Sequence, residues 1–282
     1  MPCEPADVAR YYDQTLRHYR FLWDMDRSQA LHYGFWGPGV RSLREALAHE
    51  NQVLADRLRL GPDARLLDAG CGVGGSSLYL AQRFGCEVTG ITLSAEQLRL
   101  CETNAREAGL EKQLQFRLMD FQKTDFEDAS FDAVWFVESF CHSPDKAALL
   151  REMHRVLKPG GQLLIADYFR RGSDSEGDQR LLQEWLSGWA VHGLESPDWM
   201  LEAAAAAGFE GSRLDDVTPL IAPSARRLYH ASFLARLVIA GRRLRGIRKP
   251  VSEGNVRAAH RQYLAFRRRV VHYGIFEAFK PR

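Results

Sequence analysis

The chain of 282 residues is 45% hydrophobic and 26% charged, a globular balance with room for one large domain or a domain carrying a substantial insertion. It opens without a basic-then-apolar leader, has no apolar run near the roughly 20 residues that cross a bilayer, and spaces Cys3, Cys71, Cys86, Cys101 and Cys141 without a CxxC pair or a disulfide framework. These features argue against secreted and membrane-spanning classes and lead us to expect a cytoplasmic protein. The net charge of +2 hides an asymmetry: residues 221–282 hold fifteen bases against two acids, a surface for pyrophosphate, a membrane or the acidic body of the chain itself.

Residues 1–60 read as helices rich in aromatics: Tyr11, Tyr12, Tyr19, Phe21, Trp23, Tyr33, Phe35 and Trp36. From residue 64, short apolar runs alternate with helical patterns. Strands are predicted at Arg65–Ala69, Glu87–Ile91, Leu114–Met119, Phe131–Phe136 and Gly161–Asp167, with helices over Ser76–Phe84, Ala95–Ala108 and Asp145–Leu157. Such alternation builds a parallel sheet covered on both faces. Ser196 and Pro197 start a further helix that Gly208 stops, and strands follow at Phe209–Val217 and His272–Phe279. The basic segment between these two strands is too long for a plain connection and reads as an inserted helical cap. The expected organisation is a helical lid (1–60), a core (61–218), a basic cap (219–270) and a closing strand of the core (271–282).

The first predicted strand ends "LLDAGCGVGG". Gly70, Gly72 and Gly74 give GxGxG, not the GxGxxG of dinucleotide folds, and a lone glycine motif is weak evidence. In open α/β sheets, however, ligands sit beyond the carboxyl ends of the strands, near such a turn. Asp68 just before the turn repels phosphate and favours a ligand with positive charge, an amine or a sulfonium. "LKPGG" at Leu157–Gly161 enters a strand, and "FDAVWFVES" runs a buried strand into a polar loop.

Together these segments resemble the class I S-adenosylmethionine-dependent methyltransferases over residues 60–168. The resemblance implies an α/β fold, a Rossmann-like methyltransferase sheet with helices on both faces, and S-adenosyl-L-methionine as the cofactor, held by the turn Asp68, Gly70, Cys71, Gly72 and Gly74. No acid closes the second strand. Its "GITLS…Q" is similar to the branch of the cyclopropane fatty-acid synthases and the tocopherol and sterol methyltransferases, which implies Thr92 and Gln97 on the ribose; hydroxyl and amide groups both donate and accept. Asp120 is the expected acceptor for the adenine amino group or else a turn cap, with Phe121 against the ring. Glu138 and Ser139 are expected near the reactive sulfur.

"RYYDQTLRHYRFLWD…LHYGFW", "ESFCHSP" and "YGIFEAFKP" also resemble the sterol and tocopherol methyltransferases. Expected catalytic residues are Glu138 and His142 as proton acceptors, with His32 and His192 weaker candidates, and Tyr12 and Tyr33 at the pocket. Cys141 reads as packing, since methyl transfer needs no thiol nucleophile, and no His/Asp/Glu cluster has metal-ligand spacing. The expected reaction is methylation of a lipophilic small molecule in secondary metabolism, at the carbon of a terpenoid alkene, where aromatic faces stabilise a carbocation before a base removes a proton. The alternative is O- or N-methylation of a phenol or amine. A prenyl pyrophosphate clamp and RNA binding by the arginine-rich segment are further readings of the basic region. A homo-oligomer is compatible with the helical N-terminus, which has its own sheet or a neighbour's to cover.

Overall fold

The computed structural model describes residues 5–172 and 175–282; Cys3 lies outside the described residues, as does the side chain of Phe21. In chain order the elements are α1 (Pro5–Leu22), α2 (Met25–Ser28), α3 (Leu43–Ala55), β1 (Arg65–Ala69), α4 (Gly75–Phe84), β2 (Glu87–Thr92), α5 (Ala95–Ala108) and β3 (Leu114–Leu118). There follow β4 (Phe131–Val137), a short 3-10 turn at Phe140–His142, α6 (Lys146–Val156), β5 (Leu157–Arg170), α7 (Glu176–Gly188) and α8 (Pro197–Ala206). The chain then forms β6 (Glu210–Asp216), α9 (Thr218–Leu244), α10 (Pro250–Arg267) and β7 (Val271–Phe279).

The seven strands make one sheet in the order β3-β2-β1-β4-β5-β7-β6. β1 pairs in parallel with β2 and β4, β2 with β3, and β4 with β5, whereas β7 runs antiparallel between β5 and β6. The sheet is therefore mixed: β5 spans Leu157–Arg170, beyond the predicted Gly161–Asp167, because antiparallel β7 pairs with it as far as Arg170 and Phe131 of β4 pairs with Leu157.

Period-two alternation sorts the core. Leu66, Trp135 and Leu164 face one buried cluster, and Leu67, Val134 and Leu163 the other, so apolar helix faces cover both sides. Helix starts follow side-chain chemistry. Ser42 and Glu45 form a capping box at α3, while Ser94, Asp145 and Ser196 each accept a backbone N–H three residues on, at the starts of α5, α6 and α8.

The order reverses between β1 and β4, and the carboxyl ends of β1 to β4 point to one rim. That rim is where an open α/β sheet holds its ligand. α1 and the residues around α2 lie over it, and α9 and α10, between β6 and β7 in chain order, complete the wall on that side. Among the described residues no helix is long and apolar enough to cross a membrane.

Candidate active site

A cleft opens at the carboxyl ends of β1 and β2, lined by Asp68, Gly70, Cys71, Gly72, Gly75 and Ser76 among others. The turn after β1 is shaped for close approach. Gly70 has φ +91°, and a Cβ there would stand 2.5 Å from that of Ser139; Gly75 has no space either, since a Cβ would meet the Gln29 carbonyl oxygen at 2.0 Å. Gly74 (φ +85°) is the residue before α4 and packs against Phe116 and Cys101, so it does not border the cleft as its place in GxGxG suggested; Gly75 does.

Asp68 is buried and accepts a hydrogen bond from the Ser77 hydroxyl at 2.6 Å. Burial pushes its carboxyl up to about 6, against the pull of Ser77 and of His32. His32 also lines the cleft; its Nδ1 lies 2.9 Å from the buried Glu50 carboxylate and 2.7 Å from the Tyr33 carbonyl, so Nδ1 carries the proton that both share. Burial opposes charge on His32, but Glu50 outweighs it and holds the imidazole up to about 9. Its Nε2 is buried and finds no partner.

Further along the cleft the Thr92 hydroxyl donates to Gln97 Oε1 at 2.7 Å, and both residues are buried in its lining. Asp120 spends Oδ1 on the Gln122 N–H at 2.8 Å, capping a turn, yet it still lines the cleft beside Phe121. Of the two sequence readings of Asp120 the turn cap is present, and its place in the lining is what the adenine reading requires. The Ser94 hydroxyl donates to Asp13 of α1, which ties that helix over the cleft.

A second, larger cavity of about 570 Å³ adjoins the first, within the size range of small-molecule sites. Tyr12, Leu31, Glu138 and His142 line both cavities and form the boundary between them. Tyr11, Tyr19, Trp23, Tyr33, Tyr168 and Trp189 supply aromatic wall. Of the N-terminal aromatics, Phe35 is instead core against Tyr273, and Trp36 bonds to Ser224.

At the boundary, Glu138 has φ +51° and is gripped by donors: the Tyr33 N–H at 2.6 Å, the Tyr168 hydroxyl at 2.7 Å and the Tyr273 hydroxyl at 3.2 Å. Burial, with the neighbouring Glu50 carboxylate, pushes Glu138 up to about 8. The Tyr273 hydroxyl shares its one proton between Glu138 and the nearer Glu50, at 2.9 Å, so one hydrogen-bond network joins His32, Glu50, Tyr273 and Glu138. His142 Nδ1 sits 2.9 Å from the Ala190 carbonyl and must donate there, which leaves Nε2 to accept from the Tyr12 hydroxyl at 3.0 Å. Burial holds His142 down to about 4, so it is neutral at ordinary pH with a lone pair on the boundary.

Of the remaining candidates, the Ser139 hydroxyl donates to the Ala69 carbonyl at 2.6 Å and lines the cleft, as His192 does. The Tyr33 hydroxyl is turned to Gln262. Cys141 is buried beside the larger cavity. Glu50, Tyr168 and Tyr273 were not singled out from sequence. Each sits in an element that reads as ordinary core, and only the register of β5 against β7 and the seating of α3 bring them together.

Comparison with known proteins adds to this geometry. A family model described as a methyltransferase domain matches residues 67–165. Methyltransferase GfsG of Streptomyces halstedii is 33% identical over 77% of this chain and 78% of its own length. The 27-O-demethylrifamycin SV methyltransferase of Amycolatopsis mediterranei is 32% identical over 78% and 79%. The 24-methylenesterol C-methyltransferase 2 of rice, Oryza sativa subsp. japonica, is 33% identical over 73% and 56%. Among solved structures, the [4+2]-cyclase SpnF superposes with a TM-score of 0.80 at 27% identity, over 98% of this chain and 95% of that one. A geranyl diphosphate methyltransferase in complex with geranyl diphosphate and sinefungin superposes with a TM-score of 0.78 at 25% identity, over 98% of each chain.

Proposed function

The chain belongs to the class I S-adenosylmethionine-dependent methyltransferases, in the branch with sterol, tocopherol and terpenoid enzymes, and from that membership we propose that it methylates a hydroxyl oxygen of a lipophilic small molecule. That it is a small-molecule methyltransferase follows from the family; the acceptor atom and the roles of individual residues are our reading. The observation that carries the oxygen assignment is the neutral His142, its Nε2 lone pair directed to the boundary of the two cavities.

The cleft suits S-adenosylmethionine. The glycine turn lets Ser139 close on Gly70 and the Gln29 backbone close on Gly75, which brings those walls of the cleft together where any Cβ would keep them apart. In our reading the Asp68 carboxylate takes the α-ammonium group and the orphaned Nε2–H of His32 takes the α-carboxylate, a pair of opposite charges matched to an amino-acid terminus. Thr92 and Gln97 take the ribose, and Asp120 with Phe121 the adenine. When bound, the cofactor supplies a methyl already activated on a cationic sulfur, leaving alignment, exclusion of water and proton removal to the protein.

The larger cavity presents its acceptor across Tyr12, Glu138 and His142. As an alcohol oxygen takes up a methyl it becomes an oxonium, a very strong acid, so even a histidine held down to about 4 is base enough. Tyr12 holds the imidazole lone pair until an acceptor hydroxyl replaces it. Glu138, clasped by three donors and held up to about 8, suits positioning better than proton removal at neutral pH.

Methylation at the carbon of a terpenoid alkene remains a second reading, favoured by the aromatic faces of Tyr19, Trp23, Tyr33 and Tyr168 around the cavity. Incubation with methyl-labelled S-adenosylmethionine and paired acceptors, hydroxylated and prenylated, followed by NMR of the products, separates the two. Label on oxygen supports the first reading, and label on carbon alone rejects it.

A further inference from the structure

The second half of α9 carries an apolar face that is packed only at its start, where Phe233 meets Tyr229 and His260, and is largely exposed beyond. Phe233, Leu237, Ala240 and Leu244 recur at four- and three-residue steps along one stripe, which Ile247 prolongs past the helix end; Leu237 is 71% and Leu244 90% exposed. Beside the stripe, Leu234 and Val238 (70% and 54% exposed) form part of the lining of the larger cavity, so the outer apolar surface runs without a break into the acceptor site. Residues 233–249 also hold six cations, Arg236, Arg242, Arg243, Arg245, Arg248 and Lys249, and no acid. Among the described residues only Arg243 reaches a carboxylate, that of Glu253.

Two demands meet here: leucines that are costly in water and cations without counter-charge. A small anion answers only the second. A second copy of the chain docked by the same face answers only the first, since six cations would oppose six across a twofold contact. A bilayer with anionic headgroups answers both.

We propose that residues 233–249 lie on an anionic membrane surface, the leucines at the headgroup–acyl boundary and the arginines among the phosphates. An acceptor dissolved in the bilayer then passes along Leu234 and Val238 into the cavity without crossing water. The contact is independent of turnover, so its failure and a failure of the methyl-transfer reading are separate outcomes.

Flotation of the full chain with unilamellar vesicles tests the proposal. We expect association with phosphatidylcholine–phosphatidylglycerol vesicles, weakened by salt, and little with phosphatidylcholine alone. Arg245→Ala and Arg248→Ala should each weaken it about fivefold, and the Leu237→Asp/Leu244→Asp pair by at least about tenfold. None of these four side chains lines either cavity, so calorimetric affinity for S-adenosylmethionine should be unchanged and certifies the fold. No vesicle association, equal association with neutral vesicles, or indifference to the leucine substitutions overturns the proposal. So does a wild-type dimer, idle toward vesicles, that Leu237→Asp/Leu244→Asp turns into a monomer.

Discussion

Asp68 and His32 bring opposite charges to one cleft, each held there against the cost of burial, and that has measurable consequences. Only the carboxylate form of Asp68 attracts an ammonium, and burial keeps the acid protonated up to about pH 6. Affinity for S-adenosylmethionine should therefore rise with pH from 5 to 7 and then level off. Asp68→Asn should weaken binding about 10- to 100-fold, the worth of one charged hydrogen bond, with its pH dependence gone; isothermal titration calorimetry checks both. His142→Ala should lower kcat about 10²- to 10⁴-fold while cofactor affinity changes far less. Because His142 is neutral above about pH 4, the wild-type rate should not show the usual histidine inflection between pH 6 and 7. Single residues that line the cleft were legible where local chemistry announces itself: Asp68 beside glycines, and His142 in a loop after a buried strand. Gly74 was read as bordering the cleft and does not, because which glycine lines it depends on the fold of the turn and on packing against Phe116 and Cys101, far away in sequence.

Helices α7 and α10 meet at Gly188 and Gly254, where backbones come close enough that a Cβ on Gly188 would lie 2.5 Å from the Gly254 carbonyl oxygen and 2.8 Å from Ala258 Cβ. Helix propensity alone favours alanine over glycine. Packing reverses the sign here: Gly188→Ala should cost about 1–3 kcal/mol and lower Tm, whereas stabilisation would show that the helices part freely. Trp185 on α7 backs Tyr168 and Trp189, which line the larger cavity, so the same substitution should also raise KM for the acceptor. At this scale, legibility tracked pattern strength. β1 runs over Arg65–Ala69 as read from its apolar run, and α5 over Ala95–Ala108 as read from its periodicity. α7 was not picked out as an element, since the charges of "EGDQR" mask its few apolar anchors. The cavity lining from α9 was equally invisible, because Leu228 and Val238 differ in no local way from core residues.

Across the whole molecule, buried ionisable groups set the response to alkali. Glu138, held up to about 8, and His32, held up to about 9, both bind a proton in the folded state that the unfolded chain has already released at neutral pH. The folded state therefore carries more protons, and stability should fall as pH rises from 7 to 9. Thermal melts across that window check the sign, and Glu138→Gln should flatten the slope. The fold class was legible because strand–helix alternation leaves few topologies open; the reversed direction of β7 was not, since nothing local distinguishes a parallel from an antiparallel neighbour. That strand has a consequence in time. β6 touches the sheet only through β7, yet residues 217–270 are synthesised between them, so a growing chain must carry β6 unpaired until its mate emerges. Tyr273, which links Glu50 to Glu138, arrives with that same strand. A nascent chain halted before residue 271 thus holds a complete glycine turn but lacks the tyrosine that bridges Glu50 and Glu138, and the finished boundary between the two cavities is among the last things translation confers.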